Sequence, residues 1–246
     1  MKKVSMVIIW TNEIQKEEAL RWIKNQTIYN EIEVVLIDNR QNKRYKSAAA
    51  ALNDGAQNAR GEVLVFLHQD MYLWEKDIIE KYYKYLKLNP TTIAGVAGAN
   101  NEGTVFTDIC ETRKCIHRGT WTNGKIVTVD SVDECMFGMH KSLWEKLKFD
   151  EKNCDDWHCY ALEICLHNRC CGGRCCVLPA KVCHDSLGNS NQIGFVHTIG
   201  NIVRKYKNTS IDKIESCCIG MNCSMISYYL YYMKYFVRNI LQMFSS

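Results

Sequence analysis

The sequence predicts an α/β protein in which a mostly parallel central sheet is flanked by helices, and two observations support this. Strand-like and helix-like segments alternate over the first 70 residues. The strand-like segments are also continuous runs of apolar, often β-branched residues, which is typical of strands buried on both faces. Together these features favour parallel strands joined by right-handed helical crossovers.

The individual elements follow from periodicity and from the residues that punctuate it. Residues 4–10 predict a first buried strand, 17–25 an amphipathic helix and 33–38 a second strand. Ser47 is a candidate N-cap for an alanine-rich helix over 48–58. Further along the chain we predict a strand from Gly61 to Asp70, a helix over 77–88, a strand over 92–99, a polar insertion or hairpin over 100–131, helices over 142–147 and 156–168, and a strand over 175–179.

Composition restricts the class of protein. The chain has 246 residues, enough for one large domain or two small ones, and its net charge of +4 is too small to indicate nucleic-acid binding. No apolar run reaches the roughly 18 residues that a transmembrane helix needs. Because the amino terminus leads into a strand without a cleavable signal pattern, we expect a cytoplasmic protein.

The 14 cysteines are confined to the chain from Cys110 onward. Without a secretory signal, we expect free thiols that pack as small hydrophobic side chains. Adjacent pairs such as Cys170-Cys171 and Cys217-Cys218 do not match the repeated C-x2-C spacing of structural zinc sites. A cysteine-rich metal or redox protein nevertheless stays open as an alternative.

Polar side chains follow two of the predicted buried strands. The second strand ends in Asp38, and the third ends in His68-Gln69-Asp70. His68 and Asp70 are two residues apart, so an extended chain directs both to the same side. An imidazole and a carboxylate at the carboxyl end of a buried strand indicate a metal site, since open α/β sheets bind ligands there. The alternatives are a hydrogen-bonded strand-end histidine and a turn or helix-capping aspartate.

Five segments together resemble family 2 glycosyltransferases, over residues 4 to about 188. They are 7–13, 35–39, 51–70, 149–151 and 179–186. The third is similar to the family block A-x-N-x-G that continues into the DXD motif, and Phe149-Asp150-Glu151 is similar to its F-D-E. No GxGxxG or GxxxxGK[ST] loop occurs, which disfavours classical dinucleotide enzymes and P-loop NTPases. The resemblance implies a GT-A fold, and we expect a GT-A domain over 1–215 with a helical tail over 216–246.

The resemblance also implies a nucleoside-diphosphate sugar donor and a divalent metal, Mn or Mg. The residues expected to contact the donor are Thr11, Asp38, Asn39, His68, Gln69 and Asp70. The expected metal ligands are Asp70, His184 and His68. His68 stands where the family motif has its first aspartate, and an imidazole suits Mn better than Mg. His68 therefore either ligates the metal or hydrogen-bonds the donor.

The catalytic base is harder to place. Inverting members of the family use an E-D pair near the start of a late helix, which falls at Tyr160-Ala161 and lacks a carboxylate here. Residues 154–160 instead resemble a W-H-x-Y variant of some surface-polysaccharide transferases. The candidates are therefore Asp156, Asp155 and His158, with Glu163 as a weaker one. Asp155 and Asp156 also suit N-caps of the predicted helix.

Residues 224–244 are aromatic, apolar and free of acidic side chains. The first possibility is a helix that packs on the domain or against another copy of the chain. The second is an interfacial membrane helix with Lys234 and Arg238 on anionic lipid. In the second case the protein acts at the inner face of the membrane.

The sequence as a whole predicts an inverting, metal-dependent glycosyltransferase. It would move a sugar from a nucleotide-sugar donor to a hydroxyl of a glycan or lipid-linked glycan, in bacterial surface polysaccharide synthesis. A non-catalytic domain of the same fold that binds a nucleotide sugar or glycan is the second alternative.

Overall fold

The computed structural model of the protein describes residues 2–111, 115–186 and 193–243. The helices are α1 (Glu13–Lys24), α2 (Ala48–Asn58), α3 (Ile78–Leu88), α4 (Lys141–Leu147), α5 (Tyr160–Cys170), α6 (Ile193–Tyr206) and α7 (Met225–Met243). The strands are β1 (Val4–Trp10), β2 (Ile32–Asp38), β3 (Val63–Leu67), β4 (Met71–Leu73), β5 (Thr92–Gly95), β6 (Ala97–Ala99), β7 (Val105–Thr107), β8 (Ile109–Glu111), β9 (Val127–Val129), β10 (Ser131–Val132), β11 (Met136–His140), β12 (Arg174–Val177), β13 (Val182–His184), β14 (Lys213–Glu215) and β15 (Gly220–Asn222). Residues 187–188 and 244–246, which the predicted similarity and tail include, lie outside the described residues.

The core is a seven-stranded sheet in the order β2-β1-β3-β11-β5-β12-β9. Strands β2, β1, β3, β5 and β12 run in one direction, and β11 and β9 run against them. The prediction of an α/β protein with a mostly parallel central sheet is therefore confirmed. The register aligns Trp10 of β1 with Asp38 of β2, so both residues lie at the same carboxyl edge.

Helices cover both faces of this sheet. Val7 of β1 and Phe66 of β3 pack toward α2, α4 and α5, whereas Ile8 and Val65 pack toward α1 and α3. Successive strand residues point to opposite faces of the sheet. An unbroken apolar run therefore packs against the helices on both faces. Gly61 precedes β3 where a Cβ would lie only 2.6 Å from the Val4 carbonyl carbon, so the chain needs glycine for this close approach.

Several predicted boundaries change. The strand predicted to end at Asp70 ends at Leu67, and the strand predicted over 92–99 divides into β5 and β6. Ser47 does cap α2, since its side chain accepts a hydrogen bond from the Ala50 N–H at 3.3 Å. The helix predicted from residue 156 begins at Tyr160 behind the N-cap residue Cys159. The alternative role of Asp155 and Asp156 as N-caps of this helix is therefore wrong.

The region predicted as an irregular insertion carries short strands. Residues 100–131 include β7, β8 and β9, and β8 joins β13 and β4 in a three-stranded sheet next to the main one. Cys110 and Cys115 form a disulfide, so the expectation of free thiols is wrong for this pair. Eight of the other 12 cysteines are buried, as expected of small hydrophobic side chains.

The carboxyl-terminal part consists of the β14–β15 hairpin and α7, which packs along α6. The domain border predicted after residue 215 falls inside this hairpin, and the division of the chain at that point stays a prediction. Among the described helices, none combines the length and the apolar character that crossing a bilayer requires.

Candidate functional site

A cluster of two histidines and one aspartate lies where β3 ends. One ligand atom from each of His68, Asp70 and His184 falls within 4.8 Å of the others, and the His184 Nε2 lies 3.5 Å from the Asp70 Oδ1. The two imidazole rings are 5.8 Å apart between centroids. In the described part of the chain this is the one group of three such side chains with metal-binding spacing.

The backbone holds this cluster through a tight turn and a long-range strand pairing. The chain turns at 68–70 between β3 and β4, and the turn is closed by a hydrogen bond of 3.3 Å from the Met71 N–H to the His68 carbonyl. Strand β13 then pairs with β4, with His184 opposite Met71. The Asp185 N–H donates to the Asp70 carbonyl at 2.9 Å and fixes the relative position of the two segments. His68 and Asp70 share one side as predicted, but because of this turn rather than an extended strand.

Burial and mutual contact set the charges of the cluster. Burial lowers the pKa of His68, so its imidazole is neutral near pH 7 with a lone pair available. Burial works to raise the pKa of Asp70, but its hydrogen bond and charge interaction with His184 outweigh this and lower it. Conversely, burial works to lower the pKa of His184, and the Asp70 carboxylate raises it. The cluster thus presents a carboxylate between two imidazoles.

His68 has a further partner in Tyr160, the first residue of α5. The His68 Nε2 lies 2.9 Å from the Tyr160 hydroxyl oxygen. Tyr160 is 4% exposed, and burial raises its pKa well above the ordinary value. Three positions depart from the family pattern, His68, Tyr160 and Ala161, and the first two of them are therefore in direct contact.

The cluster opens into a cavity of about 670 Å³. Its lining includes all three cluster residues, and also His158, Asp133, Glu134, Cys159, Leu162, Phe195 and Cys218. Of the three predicted catalytic residues, only His158 is among the described residues that line this cavity. Its ring packs edge-on against Phe195, with centroids 5.9 Å apart.

The other predicted catalytic residues lie elsewhere. Asp155 is half exposed, and its Oδ1 is 3.8 Å from the His197 Nδ1. The Asp156 Oδ1 accepts a hydrogen bond of 2.8 Å from the Trp157 N–H, and its Oδ2 packs against Gly194. Neither aspartate lines the cavity.

The weaker candidate, Glu163, is fully buried inside a structural contact between α5 and α6. Its Oε1 accepts hydrogen bonds of 2.6 Å from both the Lys205 Nζ and the Tyr206 hydroxyl. Lys205 also bridges to Asp150 of the Phe-Asp-Glu segment at 2.7 Å. This carboxylate therefore has its charge compensated away from the cavity.

Glu134 is a cavity residue that the sequence reasoning missed. Burial raises its pKa to about 8, the neighbouring Asp133 adds to the rise, and the N–H groups of Cys159, Tyr160 and Ala161 oppose it. The Glu134 Oε1 has no hydrogen-bond partner among the described residues. The acidic pair Asp133-Glu134 just before a buried strand was the available signal, but nothing in its spacing relates it to α5.

The residues predicted to contact a donor meet at the carboxyl edge of β1, β2 and β3. Gln69 joins two of these strand ends, because its Oε1 accepts from the Thr11 N–H at 2.9 Å and its Nε2 donates to the Thr11 hydroxyl at 3.0 Å. Asp38 is half exposed and forms an ion pair of 2.6 Å with Arg40, which lowers the Asp38 pKa. Asn39 is buried, and its side-chain oxygen accepts from the Tyr45 N–H at 2.9 Å.

The donor atoms of the cluster fit a divalent cation. Two imidazole nitrogens and one carboxylate oxygen form a mixed set, intermediate between the all-oxygen sites of Mg²⁺ and the nitrogen-rich sites of later transition metals. The remaining coordination positions would face the cavity. The cluster therefore fits a divalent cation that accepts both nitrogen and oxygen ligands.

The sheet order and the position of this cluster define a protein with the GT-A fold. Residues 5–206 match the model of a glycosyltransferase-like family, and the chain belongs to this family. No curated protein sequence matches the chain. Membership of a glycosyltransferase-like family and the predicted GT-A fold are thus confirmed, whereas the assignment to family 2 stays a prediction.

Solved structures support the same fold. One is GalNAc-T7 with UDP, GalNAc and Mn²⁺, with 15% identity and a TM-score of 0.60 over 84% of this chain and 48% of that one. A second is residues 1–349 of TarS from S. aureus, with 15% identity and a TM-score of 0.57 over 85% of this chain and 66% of that one. A further TarS structure gives 14% identity and a TM-score of 0.56 over 85% of this chain and 40% of that one. The chain therefore spans from two fifths to just under two thirds of these proteins, and the likeness concerns the fold.

Proposed function

We propose that the protein is a glycosyltransferase that moves a sugar from a nucleoside-diphosphate donor to a hydroxyl of a glycan or lipid-linked glycan. The observation that carries this proposal is the cluster of His68, Asp70 and His184 in a cavity at the carboxyl edge of the sheet. UDP and Mn²⁺ are the first ligands to test, since they accompany the similar fold of GalNAc-T7. A role in bacterial surface polysaccharide synthesis is proposed from the resemblance of residues 154–160.

On the donor side, the chain presents hydrogen-bonding groups next to the cluster. Asp38 ends β2, and its half-exposed carboxylate would accept from hydroxyl or N–H groups of the nucleoside. Asn39 follows it and holds the Tyr45 backbone beside this edge. The Gln69 amide holds the Thr11 loop against the turn at 68–70, so both segments keep a common position. A divalent cation bound by the cluster would offset the negative charge of the departing diphosphate.

On the acceptor side, a base must take the proton of the attacking hydroxyl. In an inverting displacement the acceptor oxygen bonds to the anomeric carbon as the bond from that carbon to the diphosphate oxygen breaks, and the acceptor proton passes to the base. We propose Glu134 for this role, with His158 as a contact for the acceptor, since both line the cavity. The Glu134 pKa of about 8 is close to working pH, which favours proton transfer. Asp156 and Asp155 do not line this cavity and are weaker candidates.

Thermal unfolding with UDP, with and without MnCl2, tests the proposal. A ligand that binds only the folded chain raises its apparent stability, so we expect a rise in Tm that needs both components. In Asp70→Asn the Mn²⁺-dependent part should disappear, because one of the three metal-ligating groups is lost. Asp77→Asn is a matched control, since Asp77 is a surface residue paired with Lys81.

The possible outcomes separate the alternatives. Equal Mn²⁺-dependent shifts in Asp70→Asn and the unchanged protein would contradict the assigned metal site. Binding of UDP and Mn²⁺ without hydrolysis or transfer of sugar would favour the non-catalytic binding domain. No effect of UDP, GDP or CDP with Mn²⁺ would refute the nucleotide-sugar function itself.

A further inference from the structure

Helix α7 carries an apolar stripe on the side that faces away from the protein. Its large side chains are between 49% and 75% exposed: Ile226, Tyr229, Leu230, Met233, Phe236 and Val237. They follow one another at intervals of three, one, three, three and one, which places all six on one face of a helix. A surface helix of a globular protein normally directs such a stripe to the core instead.

The opposite face of α7 is already occupied. Tyr228 belongs to the buried cluster formed with α5 and α6, and Tyr231 and Tyr235 pack against that cluster. The contact is close, because a Cβ on Gly200 of α6 would lie 2.5 Å from the Tyr228 ring. The helix therefore cannot roll its apolar stripe inward without losing this packing.

The charges beside the stripe indicate what covers it. Lys234 and Arg238 are exposed one turn apart next to the stripe, and residues 224–246 contain no acidic side chain. Two copies of α7 meeting through the stripe would bring these like charges together. An anionic lipid surface would instead attract both, by about 1 kcal/mol for each basic residue.

We propose that α7 is an interfacial helix that docks the protein on an anionic bilayer, with its apolar stripe among the headgroups and upper acyl chains. An apolar face with basic and tyrosine side chains beside it is typical of helices that lie in the plane of the membrane. The ring of Tyr229 is apolar and its hydroxyl is polar, so this side chain suits the boundary between the acyl chains and the headgroups.

This docking has a consequence for the acceptor, which rests on the proposed function. Cys159, Leu162 and Phe195 line the cavity and belong to the same buried cluster as Tyr228 of α7. The wall of the cavity is thus continuous with the membrane-facing helix. A cavity whose wall packs against the membrane-docking helix suits a lipid-linked acceptor.

Vesicle co-sedimentation tests the docking without any catalytic step. We expect binding to phosphatidylcholine vesicles that contain phosphatidylglycerol and weaker binding to phosphatidylcholine alone. Leu230→Ser combined with Phe236→Ser should weaken the binding at least about tenfold, because two apolar anchors are lost. Lys234→Gln combined with Arg238→Gln should weaken it about fivefold for each charge, and only on the anionic vesicles.

Matched controls come from exposed apolar residues outside α7. Ile14 and Leu88 are 75% and 81% exposed, so Ile14→Ser combined with Leu88→Ser should bind vesicles as the unchanged protein does. Circular dichroism checks that each variant is folded. Unchanged vesicle binding in the Leu230 and Phe236 variant would overturn the proposal. So would a dimer, seen by light scattering, that this variant converts to a monomer.

These outcomes are independent of the proposed function. If the unchanged protein binds UDP and Mn²⁺ but not vesicles, only the proposal for α7 is contradicted. If it binds vesicles but not UDP and Mn²⁺, only the proposal for the metal cluster is contradicted. A lipid-linked acceptor requires that the unchanged protein binds both the vesicles and UDP with Mn²⁺. Transfer to a water-soluble glycan at a rate unaffected by vesicles would exclude it.

Discussion

Replacing Tyr160 by phenylalanine removes one oxygen atom and tests how the metal cluster is oriented. The lost hydroxyl lies 2.9 Å from the His68 Nε2, while the ring contacts to Phe137 and Phe149, with centroids 6.2 and 6.0 Å away, are kept. A buried hydrogen bond contributes about 1 kcal/mol net to stability. A group that orients a metal-binding imidazole typically changes metal affinity by about 10- to 100-fold.

The hydroxyl affects metal affinity because the imidazole has two nitrogens, and only one of them carries the proton in the neutral ring. When the Tyr160 oxygen accepts from a protonated Nε2, the His68 tautomer is fixed with its lone pair on Nδ1. Without the hydroxyl, both tautomers and more ring orientations are populated, and the ligand-competent one becomes less frequent. We therefore expect Tyr160→Phe to bind Mn²⁺ at least about tenfold more weakly in calorimetric titration. The ¹⁵N chemical shifts of the His68 ring should also change toward a mixture of tautomers.

Tyr82→Phe is the matched control. Tyr82 is also fully buried, but its hydroxyl has no hydrogen-bond partner among the described residues. Removing an unsatisfied buried hydroxyl is neutral or stabilising, so the two tyrosine variants should change the free energy of unfolding in urea in opposite directions or by clearly different amounts. Equal Mn²⁺ affinity in Tyr160→Phe and the unchanged protein would refute the reasoning and leave His68 as a hydrogen-bonded structural residue.

Three further variants test the core and the cavity. Glu134→Gln should abolish sugar transfer and spare UDP binding. The raised pKa of Glu134 also means that the native protein loses stability as the pH rises from about 4.5 to about 8, which amounts to about 5 kcal/mol. In urea unfolding the variant should therefore be more stable than the native protein by about 5 kcal/mol at pH 9 and nearly unchanged at pH 4. Gly61→Ala should destabilise by about 2–3 kcal/mol in the same assay, since the added Cβ meets the backbone of β1. Asn53→Ala should lower the free energy of unfolding by about 2–4 kcal/mol. The Asn53 Oδ1 accepts from the Phe149 N–H at 3.0 Å and from the Trp144 Nε1–H at 3.2 Å, and both donors lose this partner. Unchanged stability would show that water replaces these bonds.

The fold could be predicted where a segment carries its own signal. Strands β1, β2 and β3 are buried on both faces, so their apolar runs are visible in sequence, and Ser47 marks the start of α2 through capping. The start of α5 could not be predicted in the same way. Its N-cap residue, Cys159, has a positive φ of 66° and no side-chain hydrogen bond to the helix, so no capping signal distinguishes it from Asp155 or Asp156.

The candidate site could be predicted only in part for a related reason. His68 and Asp70 follow a buried strand, and the family resemblance supplied His184, so the cluster was expected before the structure brought the three together. Glu134 enters the cavity because strand β11 runs antiparallel between β3 and β5, which places the loop before it beside α5. Nothing local in sequence specifies that crossing, so the position of Glu134 depends on tertiary structure.

The departures from the family pattern at His68 and Tyr160 are explained by the contact between these two side chains. An aspartate at position 68 and a carboxylate at position 160 would lie beside Asp70 and place three negative charges in one partly buried site. His68 and Tyr160 form a neutral hydrogen-bonded pair instead, which leaves Asp70 as the charged member of the cluster. The Glu134 carboxyl group faces the N–H groups of residues 159–161, so a carboxyl group from another element lies at the start of α5. His68→Asp should therefore weaken the site in the absence of metal, because a second carboxylate would then lie beside Asp70. Urea unfolding at pH 7 should give a lower free energy of unfolding for this variant than for the unchanged protein, and equal stability would contradict the reasoning.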